Sequence, residues 1–262
     1  MILEIQILGG DGTVKASVSG MGSVTLVYND AYAEGDSIRL AGDAAGPVVA
    51  QLEDSIPPVY GWLSAAFRLA VPFAEKKACY SPKSFTGGIH LLTARAATPE
   101  ETAQHRNLAL NPLDSHENSG LYPHASANVE TRGESVFAAR NAIDGHHVNF
   151  SHGSWPYQSW GIGKDDKAEI RVDFGRTVQI DALSVTLRAD FPHDNWWKSA
   201  QIVFSNGFSF SPVFEKTGAP QTFALPQQKA EWAVMRHMKK DENDPSEFPA
   251  LTQLAFWGSE AK

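Results

Sequence analysis

Two short stretches concentrate the side chains able to do chemistry. The first is Gly145–Trp160, GHHVNFSHGSWPYQSW, and the second is Arg188–Trp197, RADFPHDNWW. Each sets aromatic rings among imidazoles and amides, and the second adds a guanidinium and two carboxylates. A ring offers an apolar face, while Arg, Asp, Asn and His offer fixed hydrogen-bond donors and acceptors. That mixture suits a ligand with one face of C–H groups and a rim of hydroxyls, as a sugar has. The candidate ligand-binding residues are therefore His152, Trp155, Arg188, Asp190, His193, Asp194 and Trp197. Packing competes for some of them. Tryptophans are mostly buried, so Trp160 and one of Trp196 or Trp197 are expected in the core. Arg188 and Asp190, two apart near a strand end, could simply pair.

Other chemistries are less well served. His146, His147, His152 and His193 are ligand types for zinc, but no His-x-His or cysteine pair accompanies them. The chain has no Gly-x-Ser-x-Gly elbow to present a nucleophile. Asp165 and Asp166 sit between Lys164 and Lys167, a solvated turn rather than a glycosidase carboxylate pair. Cys79 is the single cysteine, so no intrachain disulfide forms. Lys76 and Lys77 could lower its thiol pKa, and packing as a small hydrophobe is the competing role.

The elements that must hold these loops read as strands. In the first part, Ile2–Leu8, Ser23–Tyr28, Ser37–Leu40, Val48–Leu52, Ala65–Pro72 and His90–Ala96 alternate or are rich in β-branched residues. Turn chemistry separates them at Gly9–Gly12, Ala33–Asp36 and Ser81–Lys83. Thr98-Pro99-Glu100-Glu101 is a helix start, with Pro at the first helical position. Beyond it the spacing predicts strands over Ala168–Phe174, Ile180–Arg188, Ser199–Phe204, Gln221–Leu225, Ala230–Met238 and Thr252–Trp257, with a short helical turn near Ser135–Ala142. The class is all-β. A chain of 262 residues accommodates two cores, and two β-sandwich domains are expected, 1–105 and 106–262.

Within the second part a set of motifs recurs in order. They are Asn107-Leu108-Ala109-Leu110-Asn111, Asn141-Ala142-Ile143-Asp144-Gly145, Ile170-Arg171-Val172-Asp173-Phe174-Gly175, Ile180-Asp181-Ala182-Leu183 and Leu251–Gly258. Together they resemble the galactose-binding-like jelly rolls, the superfamily of discoidin (coagulation factor five/eight type C) domains and many bacterial carbohydrate-binding modules. The resemblance covers about residues 107–258 and implies non-catalytic sugar binding by the loop end of a jelly roll. It also implies a structural calcium ion, for which Asp144 matches the carboxylate position and Asn141 is a companion. The late-strand acid of that family falls on Gln253, and His146 and His147 replace oxygen-bearing loop residues. Each motif has a structural role besides: Gly145 supplies a positive φ, Asp144 can close an Asx turn, and Ile170, Val172 and Phe174 share one strand face.

A net charge of −8 with 20% charged residues speaks against a nucleic-acid partner, which needs clustered Lys and Arg. No window reaches the ~20 apolar residues of a membrane span. The start, Met1–Ile7, lacks the pattern of a signal peptide, so the sequence as given reads as cytoplasmic, or extracellular if a leader was removed. Asp54–Trp62, with Pro57-Pro58, Tyr60 and Trp62, is expected at a seam between the two parts, and Tyr80–Gly88 is a long loop with functional potential. The leading expectation is carbohydrate binding by aromatic stacking and hydroxyl hydrogen bonds. Its rivals are a lyase or hydrolase using His, Arg and Asp in an interdomain cleft, and a structural protein whose aromatic loops join copies in a homo-oligomer.

Overall fold

Strict alternation along Ile2–Leu8 sends Leu3, Ile5 and Ile7 into a core with no exposed surface, and Val24, Leu26 and Tyr28 follow the same rule on a second strand. The computed structural model describes residues 1–148, 150, 155–189 and 195–261. Its first strands are β1 (Ile2–Leu8), β2 (Val14–Met21), β3 (Ser23–Tyr28), β4 (Ser37–Gly42), β5 (Gly46–Gln51), β6 (Val59–Leu63), β7 (Phe67–Ala70) and β8 (His90–Ala96). After a one-turn helix, α1 (Pro99–Ala103), come β9 (Arg106–Asn107), β10 (Leu121–Tyr122), β11 (His124–Ala127) and β12 (Trp160–Gly161). The remaining strands are β13 (Ile170–Arg188), β14 (Trp197–Phe204), β15 (Ser209–Phe210), β16 (Gln221–Lys240) and β17 (Ala250–Glu260). The described chain is all-β but for α1 and short 3₁₀ turns. Helix α1 has a full capping box, Thr98 accepting from the Glu101 N–H and Glu101 accepting from the Thr98 N–H.

Two antiparallel sheets, β2-β1-β4-β7 and β10-β6-β5-β8-β3, face each other across the first core. The second core lies in the part that carries the motifs. There the spacing predicted separate strands at 168–174 and 180–188, but the chain runs through as one bent strand, β13. The bend sits where Gly175 has φ +69° and its N–H bonds Asp173 Oδ1 at 2.9 Å. The first half of β13 pairs with β11 and with Trp232–Met235 of β16, while its second half pairs with β17 and the first half of β16. Strands β13 and β16 thus pass from one layer to the other, and the sheet folds over on itself. Phe204 on β14 meets Phe256 on β17 across the resulting core, rings 5.8 Å apart and nearly perpendicular. This is the antiparallel β-sandwich that the resemblance to galactose-binding-like jelly rolls implied.

The motifs do structural work where they stand. Asn107 Oδ1 accepts from Ala109 and Phe256 N–H groups, tying the opening strand to the closing one. Asn111 donates to the carbonyls of Leu121 and Pro123. There the chain crosses over, because β10 belongs to the first set of sheets and β11 to the second. Leu113 and Leu121 consequently pack in the first core. Gly175 is required at the crossing, since a Cβ there would stand 2.3 Å from the Tyr122 ring.

Tyr60 and Trp62 lie where the first part meets the last strand. The Glu260 carboxylate accepts from Arg176 at 2.6 and 2.9 Å, from Arg106, and from the Tyr60 hydroxyl at 3.2 Å. Arg106 stacks on Tyr60 at 3.7 Å and Arg176 lies over Trp62 at 5.6 Å. Glu260→Ala leaves two half-buried guanidiniums facing each other, which is expected to cost about 2 kcal/mol. For a chain this long that corresponds to roughly 5 °C in Tm by circular dichroism; an unchanged Tm means the cluster contributes nothing.

The crossover carries a second charged knot. Asp114, fully buried, accepts from Asn118 Nδ2 and His124 Nδ1 on one oxygen and from the Ala125 N–H on the other. Burial pulls the His124 pKa down, but the hydrogen bond and charge of Asp114 outweigh it and leave the imidazole above its ordinary value. A raised folded-state pKa gives stability that is fully present below the ordinary histidine value and is lost as pH rises through the folded one. Urea midpoints are therefore expected to fall as the pH rises above about 6.5, and His124→Gln should make that fall shallower, His116 and His146 supplying the remainder. A slope unchanged in the variant assigns it wholly to other groups.

Candidate functional site

The two parts enclose a cleft of about 470 Å³, within the range of small-molecule sites. One wall comes from the first part and holds Pro57, Pro58, Tyr80, Ser81 and Lys83. The other follows the Asn141–Gly145 turn and holds Leu110, Asp144, His146 and Trp155. Arg140 and Cys79 lie at its base.

Arg140 fixes the base. It is 7% exposed, and its Nε and Nη2 each donate at 2.7 Å to carbonyls on the crossover, those of Asp114 and Pro112. Nη1 donates to Asn141 Oδ1 at 3.1 Å and to Cys79 Sγ at 3.5 Å, and the guanidinium lies 4.5 Å over the Tyr80 ring. Burial would weaken the charge, but Tyr80, Cys79, Asp144 and Asp114 together raise its pKa, so it stays a cation. Burial also pushes the Cys79 thiol up, more than Arg140 lowers it. Cys79 is therefore a neutral, packed thiol, and Lys76 and Lys77 do not activate it.

The upper wall is held by Asp144. Its Oδ1 accepts from the His146 N–H at 2.8 Å, closing the expected Asx turn, and from Gln253 Nε2 at 2.7 Å. Its Oδ2 accepts from Gln158 Nε2 at 2.8 Å. Gly145 completes the turn at φ +86°. His146 then stands with Nδ1 3.4 Å from Asp144 Oδ1, and the nearby carboxylate raises its pKa. Trp155 meets the His146 ring edge-on at 6.0 Å, and its backbone N–H bonds the Ala78 carbonyl across the cleft at 2.9 Å. His147 turns away, Nδ1 lying 3.0 Å from Thr186 Oγ1. The two adjacent histidines have separate partners and do not converge on one metal.

A calcium ion does not fit at Asn141 and Asp144. Calcium takes six to eight oxygens with free lone pairs. Here the Asn141 carbonyl and Asp144 Oδ1 both receive hydrogens from Gln253, and Asn141 Oδ1 receives one from Arg140. The assignment of these two residues as metal ligands is corrected: they are the hydrogen-bonded frame of the turn.

Among the other sequence-predicted residues, Trp155 reaches the cleft. Trp197 does not: it is 1% exposed and packs 6.2 Å from Trp160, because strand parity turns it inward. It is a core residue, not a stacking platform. Arg188 is buried at the end of β13, 3.4 Å over the Tyr157 ring with Nη1 on Ser159 Oγ. It borders a separate hollow of about 100 Å³, shared with Phe137, Lys164 and Phe248. His152, Asp190, His193 and Asp194 lie outside the described residues. Sequence reading missed Arg140, Leu110 and Pro112 as parts of a site. It did single out both stretches of the facing wall, Asp54–Trp62 and Tyr80–Gly88.

No protein-family model matches the chain, and no curated protein matches it. Solved structures similar to it include chitosan-binding module 1 of a chitosanase/glucanase from Paenibacillus sp. IK-5, at 17% identity and TM-score 0.42 over 59% of this chain and all of that one. A Streptococcus pneumoniae fucose-binding module, SpX-3, aligns at 14% identity and TM-score 0.43 over 59% of this chain and 99% of its own. The family 32 carbohydrate-binding module of NanJ from C. perfringens, in complex with galactose, aligns at 18% and 0.38 over 51% and 91%.

Arg140 is the residue on which the cleft base turns, and its planar fork cannot be copied by an ammonium. Arg140→Lys is expected to lose about 3 kcal/mol in urea denaturation, the size seen when a buried charge loses its partners. Equal stability of the two proteins would remove Arg140 from that role.

Proposed function

We propose that the protein binds a carbohydrate in the cleft between Trp155 and the Pro57-Pro58 wall and releases it chemically unchanged. The observation that carries this reading is one cleft lined both by a half-buried Trp155 and by Pro57-Pro58, with Ser81, Lys83 and His146 also in its lining. A pyranose ring offers a C–H face to an indole and hydroxyls to its surroundings. Trp155 supplies the indole face, and its backbone tie to Ala78 fixes the chain that carries the ring. Lys83, Ser81 and His146 supply donors and acceptors at the mouth. The resemblance of the Asn107–Gly258 motifs to carbohydrate-binding jelly rolls points the same way.

Two of the ionisable groups lining the cleft, Asp144 and Cys79, are already engaged, which favours binding over turnover. Asp144 already accepts three N–H donors and its side chain is 2% exposed. Cys79 is a buried neutral thiol whose sulfur contacts Arg140. The carboxylate at the cleft thus acts as a frame and is not free to shuttle protons.

Calorimetric titration with D-galactose, L-fucose and a chitosan trisaccharide tests the reading. Trp155→Ala is expected to weaken the saccharide that binds by roughly tenfold, the worth of one stacked ring. Lys83→Ala should weaken it by about threefold, as for one exposed polar contact, and Tm should hardly move in either variant. No heat of binding from any sugar to folded protein sinks carbohydrate recognition. A new saccharide species in the NMR spectrum after incubation sinks the non-catalytic part.

A further inference from the structure

We infer that Gln253 is a positioning residue for the cleft, its buried side-chain amide standing where a cation would otherwise be needed to hold the loop of His146 and Trp155. The consequence for ligand binding rests on the cleft reading above; the consequence for metal independence does not.

Gln253 lies on β17, in direct hydrogen-bond contact with the turn it serves, and is 3% exposed. Simple alternation would send it the opposite way from Leu254, which is also buried. The ladder between β13 and β17 slips at this point: Thr186 faces Gln253, yet Leu187 faces Leu251, so Thr252 is an extra residue. Seven consecutive residues of β17, Ala250–Phe256, are buried, so both faces of the strand are covered, and the Asn141–Gly145 turn covers the face that carries Gln253.

The orientation of the amide follows from its neighbours. Gly145 presents an N–H at 2.9 Å, which only the amide oxygen can accept. The NH₂ group must then face the other way, and it does, with one bond of 2.7 Å to the Asn141 carbonyl and another of 2.7 Å to Asp144 Oδ1. Gln158 Nε2 holds the second carboxylate oxygen. Two neutral amides thus donate to and orient one buried carboxylate, and each hydrogen of the Gln253 NH₂ has its acceptor. A cation at this place would confront those hydrogens. Because Gly145, Asp144 and the His146 N–H are joined through this one amide, Gln253 sets the path of the chain that leads into His146.

Glutamate at this position would supply an oxygen where the NH₂ now stands, facing Asp144 Oδ1 and the Asn141 carbonyl. Three oxygens without a proton between them repel one another and form the start of a calcium site. The experiment compares wild type, Gln253→Glu and Gln253→Met in EDTA and in millimolar calcium chloride, by thermal denaturation and by titration with D-galactose, L-fucose and a chitosan trisaccharide. Wild type should show the same Tm and the same saccharide affinity in both buffers. Gln253→Glu should lose roughly 5 °C or more in EDTA and recover most of it with calcium, a rescue that a purely packing role for Gln253 does not produce. Gln253→Met, matched in volume but without donors, should bind the saccharide about tenfold more weakly, a loss that calcium does not repair.

A calcium-raised Tm or an EDTA-weakened affinity in wild type overturns the inference. A folded Gln253→Glu protein that ignores calcium overturns it too, as does full affinity in Gln253→Met. If Gln253→Glu does not fold, the wild-type and methionine arms still decide. If no saccharide binds wild type, the function proposed above fails, while the calcium arms read Tm alone and judge the amide separately.

Discussion

The guanidinium of Arg140 is the point through which the candidate site is assembled. A buried cation must be solvated by the protein itself, and here the solvating groups come from three places in the chain. Carbonyls at 112 and 114 belong to the crossover, Asn141 to the turn, Cys79 and Tyr80 to the first part. Satisfying one side chain therefore fixes the relation of three segments that share no strand pairing. The cleft above it inherits that geometry.

A similar economy governs the carboxylates. Asp114 and Asp144 are both buried, and neither is matched by a direct Arg or Lys partner among the described residues. Each is held by N–H donors: Asn118, His124 and Ala125 for the first, His146, Gln158 and Gln253 for the second. Amide and backbone donors cost less to desolvate than a second ion, and they impose direction, which a point charge does not. These knots occupy the crossover and the turn, the two irregular stretches where sheet ladders cannot satisfy the backbone.

Legibility in the sequence followed locality. Ile2–Leu8, Ser23–Tyr28 and His90–Ala96 were readable to the residue because alternation with β-branched side chains is a strand signal that nothing nearby contradicts. Strand β2 was not, since Val14–Met21 is rich in Ser, Ala and Gly and has no fully buried position. The separate strands anticipated on either side of Gly175 join into one bent strand: its ladder with β16 breaks after Asp173 and resumes at Val178, so the bend shifts the register without turning the chain back. Trp155 and Trp197 look equivalent in sequence. Trp197 ends in the core because of strand parity, which shows only once a strand's starting residue is known, whereas Trp155 lies in an irregular loop whose backbone is tied to the Ala78 carbonyl. Arg140 was invisible for a different reason. Its partners lie between 1 and 61 positions away, and a hydrogen bond to a distant carbonyl leaves no mark on residue type.

The cleft belongs to neither core alone, and this decides what kind of site it can be. Its walls rest on different sandwiches, so its width is set by the contacts between them: the Glu260 cluster on one side, Arg140 and the Trp155–Ala78 bond on the other. Both sets are polar and directional, and polar contacts between packed sheets shear less easily than apolar ones because each has one good geometry. A ligand filling the space between Trp155 and Pro57-Pro58 touches both walls at once and so adds to the contacts that hold them together. Occupancy and the relation of the two sandwiches are then linked: whatever loosens the seam must weaken the ligand, and the ligand must in turn stiffen the seam.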